Sequence, residues 1–155
     1  MDIFETYIQK YKRDENCRAL TCKSYKKVYE NNSHESLANN KTNFELATYG
    51  DALMKFALCS LLLDKVEQLS EYKKKYEEDK FLIEVVAKHY KLIDYMNFDR
   101  DDEKIPKKYV SYEAGNNNPT KYIATTVEAV IGAIYHEKQD FDSICELIKS
   151  WWDLE

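Results

Sequence analysis

The sequence predicts an all-α fold, and three observations lead to that prediction. The chain has 155 residues but only 3 glycines and 2 prolines, whereas an all-β chain needs turn residues about every 8–12 positions. Hydrophobic residues make up 44% of the chain, which is enough to fill a core. Apolar residues also recur at helical spacing in most segments. Because no internal repeat and no linker is visible, we expect one domain spanning residues 1–155.

The first half of the chain is predicted to form a peripheral helix, a short helix and one long central helix. Asp2–Lys12 carries its apolar residues on one face, and a short helix is expected over Asn16–Cys22. The polar, Asn-rich segment Asn31–Thr42 predicts a loop. From about Asn43 to Val66 the chain is apolar nearly all round a helix, and such a helix is expected in the middle of the core.

The second half predicts three further helices separated by a turn and a long loop. Ser70–Tyr90 is amphipathic, with a charged first half and an apolar second half, and Leu92–Met96 is a short apolar turn. Phe98–Asn118 is mostly polar, and long loops of this kind in compact domains are often functional or mobile. Thr120–Lys138 and Phe141–Trp152 carry apolar residues at helical spacing and complete the fold.

Charge and cysteine content limit the function classes. The net charge of −5 does not indicate a nucleic-acid binder, which usually has a basic balance, although basic residues can be concentrated on one face. The four cysteines show no CxxC pair and no zinc-ligand spacing with histidine. The N-terminus is charged throughout, and the longest apolar run, Phe56–Leu63, is too short to span a bilayer. We therefore expect a cytoplasmic protein with no membrane partner.

Two helices contain acidic residues in unfavourable surroundings. Gly50 in a helix interior costs roughly 1 kcal/mol relative to alanine, and the charge of Asp51 follows it directly in an apolar run. In Ala124–Tyr135, Glu128 lies among small and apolar residues, one turn before Gly132. Small residues allow two helices to approach closely and leave room for a hydrated ion. We hypothesise that Asp51 and Glu128 meet around a divalent cation, for which carboxylate oxygens are suitable ligands.

A simpler interpretation stands beside this hypothesis. Asp51 can cap a helix or pair with a lysine, and Glu128 can be a surface residue. The spacing alone favours this interpretation, because structural ion pairs place acids in similar surroundings.

Four segments, in order, resemble the ribonuclease III catalytic domain over nearly the whole chain. ALTCKSY resembles the family element ALTH-(K/R)-SY, and NFELATYGDA resembles the signature NERLEFLGDA. KFLIEVVAKHYKLIDYM and NPTKYIATTVEAVIGAIY resemble two later family segments. The resemblance implies an all-α homodimer that cuts double-stranded RNA, leaving a short 3′ overhang, with Mg²⁺ (or Mn²⁺) held by Asp51 and Glu128. The segments are Ala19–Tyr25, Asn43–Ala52, Lys80–Met96 and Asn118–Tyr135.

The chain departs from the typical family site, which has four carboxylates. Ala47 stands where an acid is expected four residues before Asp51, and Thr125 stands where one is expected three residues before Glu128. The Mini-III branch of the family has the same two replacements, whereas ALTCKSY is closer to the full-length branch. We expect no appended double-stranded-RNA-binding domain after Glu155. Three hypotheses remain, and the first two are an endoribonuclease with a reduced site and a catalytically inactive module that binds RNA or a ribonucleoprotein. A helical scaffold without RNA contact is the third.

Three further residues are candidates for contacts with RNA or its phosphates. Lys55, one turn after Asp51, can meet a phosphate or neutralise Asp51, and we favour the second role. Asn43 can position the RNA backbone or cap the long helix. Lys121 can contact a phosphate, although a solvated lysine in the first helical turn is the simpler interpretation.

Overall fold

The computed structural model describes residues 1–29, 41–100, 108–111 and 120–155. The predicted all-α class is confirmed: the described residues contain no strand, only an isolated bridge between Thr21 and Asn97. Most of the two expected loops, Asn31–Thr42 and Phe98–Asn118, lies outside these residues. The longer helices are α1 (Ile3–Lys10), α2 (Phe44–Leu62), α3 (Leu69–Glu77), α4 (Asp79–Phe81, continuing to Tyr90), α5 (Lys121–Lys138) and α6 (Phe141–Trp151).

A buried polar chain fastens the N-terminal helix to the rest of the fold. Asp2 caps α1, because its Oδ1 accepts a hydrogen bond of 2.8 Å from the main-chain nitrogen of Glu5. Its Oδ2 accepts a 2.6 Å hydrogen bond from the Tyr90 hydroxyl, to which the Trp151 indole donates at 2.9 Å. One aspartate therefore connects α1 with the end of α4 and with α6.

Helix α2 differs from the prediction in where its apolar surface lies. Its inner face is buried, with Met54 and Leu58 fully inaccessible, but the opposite face is open in the monomer. Phe56 is 62% exposed and Leu63, directly after the helix, is 59% exposed; Tyr49 is also exposed. We call Tyr49, Phe56 and Leu63 the outward face of α2. The expectation of a helix in the middle of the core is therefore wrong for the single chain, because only one side of α2 is covered.

The expected helix Ser70–Tyr90 is divided in two. Glu78 has an extended backbone (φ −73°, ψ 151°), which ends α3 and allows α4 to start in a new direction at Asp79. Helix α3 buries none of its residues, whereas α4 buries Phe81 and most of its π-helical middle, Leu82–Ala87. The break separates an exposed charged helix from one that packs against α5, and it was not predictable from glycine or proline because neither occurs there.

The short segment before α2 holds the start of that helix in place, because the main-chain nitrogen of Asn43 donates to the Thr21 carbonyl at 2.9 Å. The helix expected over Asn16–Cys22 is only a 3-10 turn, Arg18–Leu20. The main-chain nitrogen of Cys22 donates to the Asn97 carbonyl at 3.0 Å, and the main-chain nitrogen of Asn97 donates to the Leu20 carbonyl at 2.8 Å.

In the part of the chain that the structure describes, no helix combines the length and hydropathy needed to cross a membrane.

Candidate active site

Helices α2 and α5 form the largest helix–helix contact of the fold, and they cross at two glycines. A Cβ on Gly50 would overlap the main-chain carbonyl oxygen of Glu128 and lie 2.7 Å from its carbon. A Cβ on Gly132 would overlap the carbonyl oxygen of Leu46. The backbones therefore touch where Asp51 follows Gly50 and Glu128 lies opposite, so the two predicted site residues flank the crossing point.

The carboxyl group of Glu128 is in an environment that disfavours its charge. Burial first, and then the negative charges of Asp51 and Asp79, raise the pKa of Glu128 to about 8. The positive charges of Lys121 and Lys55 offset only part of this effect. Because a like charge acts on Glu128 from Asp51, the structure brings together the two acids that the sequence singled out.

Lys55 pairs with Asp51, as the sequence interpretation favoured. Its Nζ lies 2.8 Å from Asp51 Oδ2, one helical turn away, and both side chains are partly exposed. The hydrogen bond to Asp51 and the negative charge of Asp51 raise the pKa of the Lys55 amine. Lys121, in the first turn of α5, is exposed and acts electrostatically on both Glu128 and Asp79. Both lysines border the carboxylates on the side that solvent reaches.

The site contains a third acid, Asp79, that sequence reasoning missed. Burial raises the pKa of the Asp79 carboxyl, the charge of Lys121 lowers it, and the charge of Asp51 raises it. Asp79 is the first residue of α4, directly after the break at Glu78. In the sequence it is one acid within a charged run, so the only available signal was its place immediately before an apolar segment.

Asn43 is placed differently from the RNA contact considered above. Its side chain is 1% exposed and donates a 2.9 Å hydrogen bond to the Thr126 hydroxyl, which in turn donates to the Tyr122 carbonyl at 2.8 Å. Asn43 occupies the N-cap position of α2, but its side chain makes no capping hydrogen bond. Its amide instead connects the start of α2 to α5, so we do not retain it as an RNA contact.

The two positions where the family acids are expected carry a small side chain and an uncharged side chain. Ala47 is 5% exposed on the inner side of α2, and Thr125 is half-buried on α5. Neither side chain can supply a carboxylate, so the acids that interact at the site are Asp51, Glu128 and Asp79.

The donor set suits a magnesium ion that keeps most of its water. Over the described ranges, no group of three or more His, Cys, Asp or Glu side chains is close enough to hold a metal ion. Two carboxylates are nevertheless a sufficient protein contribution for Mg²⁺, which usually retains several waters and binds substrate phosphate. Burial raises the pKa of Glu128 most, and the negative charges of Asp51 and Asp79, which raise it further, also favour a bound cation. Asp51 and Glu128 would hold such an ion.

Comparison with known protein families identifies a domain that includes the site. The family model of the ribonuclease III domain matches residues 45–139, more than half of the chain. The matched range contains Asp51, Lys55, Asp79, Lys121 and Glu128. A search of curated proteins found no match.

Proposed function

Because the chain belongs to the ribonuclease III domain family, we propose that it is a divalent-metal-dependent endoribonuclease that cleaves structured, double-stranded RNA as a homodimer. Members of this family generally depend on a divalent metal, typically bind double-stranded RNA and dimerise. The observation that carries the proposal is the glycine crossing, which puts Asp51 and Glu128 beside each other on two tightly packed helices.

In the proposed reaction, the protein supplies an acidic site with cationic edges. A divalent ion bound there would polarise the scissile phosphate and lower the pKa of an attacking water. Asp51 and Glu128 provide oxygen ligands on rigid helices, and the main-chain contact at Gly50 fixes their relative position. Lys55 and Lys121 are the candidate phosphate contacts, because their charges lie next to these carboxylates. Recognition through the RNA backbone and A-form shape would be sensitive to salt.

The proposal predicts that Asp51→Asn lowers Mg²⁺-dependent cleavage of a long duplex RNA by about 100-fold or more. The asparagine keeps the size of the side chain but removes its negative charge. Cleavage would be measured by gel with Mg²⁺ and with EDTA, beside Asp142→Asn as a control, since Asp142 is an exposed acid in the first turn of α6.

Cleavage that survives both EDTA and Asp51→Asn would exclude this site. Duplex binding without cleavage by the wild-type protein would instead support the inactive RNA-binding module. The replacements at Ala47 and Thr125 make that alternative worth testing.

The homodimer is proposed to form through the outward face of α2. Phe56 packs on Phe141 with ring centroids 5.1 Å apart, yet most of its surface remains exposed. Tyr49 lies near Tyr135 and His136, with ring centroids 6.0 and 6.4 Å away, and is 39% exposed. An apolar stripe on the solvent side of a helix costs free energy unless a partner covers it, and a second copy of the chain is the partner that the family suggests.

Replacing Phe56 with lysine is expected to weaken dimerisation by at least about tenfold, because a charge would enter the middle of the proposed interface. Sedimentation equilibrium over a range of concentrations measures the effect. Val110→Lys is the control, since Val110 is a similarly exposed apolar residue in another segment. Wild-type protein that stays monomeric, or Phe56→Lys that dimerises as well as the wild type, would contradict the proposed interface.

A further inference from the structure

The ion pair between Lys55 and Asp51 differs from the other surface ion pairs in the identity of its acidic partner. The pairs Lys27–Glu15 and Lys75–Glu155 join residues outside the candidate site. Lys55 instead donates to Oδ2 of Asp51, one of the two carboxylates proposed to bind metal, at 2.8 Å. The pair therefore occupies one of the two oxygens of a carboxylate that the proposed function also requires.

The position of Lys55 brings its charge to both site carboxylates. It lies one turn after Asp51 on α2, and its positive charge also acts on Glu128, on the facing helix α5. Without a metal ion, the negative charge of Asp51 acts on both Glu128 and Asp79, and the negative charge of Asp79 acts on Glu128. Among the residues that the structure describes, Lys55 donates a hydrogen bond directly to Asp51 of this group.

An ammonium group and a divalent cation compete for the same acceptor. An ionised carboxylate accepts hydrogen bonds through the oxygen lone pairs that also coordinate Mg²⁺. The Lys55 and Asp51 side chains are 46% and 35% exposed, so water screens their attraction and the pair is easily exchanged. A doubly charged ion can therefore replace the singly charged ammonium without disturbing the buried core.

We propose that Lys55 is the exchangeable counter-ion of the metal-free site, and that a divalent cation binding to Asp51 displaces it. The inference rests on the proposed metal site. Once displaced, the Lys55 ammonium remains one helical turn from Asp51, where it can pair with an RNA phosphate instead. An ordinary helix-surface pair would have no such link to metal affinity.

The test is direct binding of Mn²⁺ to the RNA-free protein, measured by electron paramagnetic resonance of the free ion. Lys55→Met removes the competing charge and is expected to bind Mn²⁺ about three- to tenfold more tightly than the wild type. Lys55→Arg keeps the charge and is expected to remain within about twofold of the wild type. Lys75→Met is the matched control, because it removes an exposed lysine whose partner is Glu155.

The outcomes distinguish this inference from the proposed function. If Lys55→Met binds Mn²⁺ with the wild-type affinity or more weakly, while Asp51→Asn loses binding, the metal site stands and the counter-ion role is overturned. If the wild-type, Lys55→Met and Lys75→Met proteins bind Mn²⁺ no more tightly than Asp51→Asn does, the counter-ion role and the metal site are both wrong. Tighter binding that is confined to Lys55→Met supports the inference.

Discussion

Replacing Gly50 with alanine is expected to lower the free energy of unfolding by about 2–4 kcal/mol. In an isolated helix the same change would stabilise by roughly 1 kcal/mol. Here the added methyl group would overlap the main-chain carbonyl of Glu128, and its nearest neighbours also include the main-chain nitrogen of Gly132 at 3.0 Å. Main-chain atoms of two packed helices cannot rotate away as a side chain can, so the helices must separate. Urea unfolding monitored by circular dichroism measures the change.

Ser60→Ala is the control for the Gly50 variant. Ser60 lies exposed on the same helix, outside the crossing, so alanine there should change the free energy of unfolding by less than about 0.5 kcal/mol. If Gly50→Ala proves as stable as the wild type, the two backbones are farther apart than the structure places them. Because Asp51 follows Gly50 directly, the destabilised protein should also show weaker metal binding.

The sequence predicted the ends of the last two helices more accurately than those of the helices before them. The expected Thr120–Lys138 and Phe141–Trp152 differ from the observed helices by one residue at one end. The apolar periodicity of these segments is strong, and α6 also begins with an aspartate cap at Asp140. Around Glu78 the sequence had no comparable signal, because glutamate is compatible with a continuous helix.

The site was predictable where residues that destabilise an apolar helix lie within the apolar helical pattern itself. Gly50 and Asp51 are each unfavourable in an apolar helix, and that cost indicated a helix crossing and a charged site. Asp79 joins the site only through the direction that the chain takes after Glu78, which is a property of the packed fold. Asn43 shows the opposite case: a polar residue beside the site motif that the packed fold uses for a buried hydrogen bond to Thr126. Residue type alone did not distinguish these roles.

The outward face of α2 was visible in the sequence but was assigned to the wrong environment. An apolar residue on every side of a helix indicates burial on every side, and the sequence does not state whether the same chain or a second copy provides it. Phe56 and Leu63 are covered little by their own chain. The predicted burial of this face therefore holds only if a second copy of the chain covers it, as in the proposed dimer.

Replacing Glu128 with glutamine is expected to stabilise the metal-free protein at pH 8 by about 2–4 kcal/mol while removing RNA cleavage. The pKa of Glu128 is about 8 in the folded state and 4.5 ordinarily, so the folded protein binds this proton more tightly than the unfolded chain. Stability from this group is therefore complete below about pH 4.5 and is lost as the pH rises to about 8. Glutamine is uncharged throughout, so the variant should lack this slope. Urea unfolding in EDTA from pH 4.5 to 9 measures it.

The charges that act on Glu128 determine how a bound metal ion changes the pH dependence of stability. Asp51 and Asp79 oppose its ionisation, whereas Lys121 and Lys55 favour it. A divalent ion held by Asp51 and Glu128 would reverse this balance, so Mg²⁺ should stabilise the wild-type protein at pH 8 and have little effect on Glu128→Gln. Glu146→Gln, at an exposed position of α6, should have the wild-type pH dependence of stability in EDTA and in Mg²⁺. Equal pH profiles for wild type and Glu128→Gln in EDTA would mean that Glu128 titrates as an ordinary surface acid, and its coupling to Asp51 would then be absent in solution. Higher stability together with lost cleavage is the combination expected of a residue kept for chemistry at the expense of the fold.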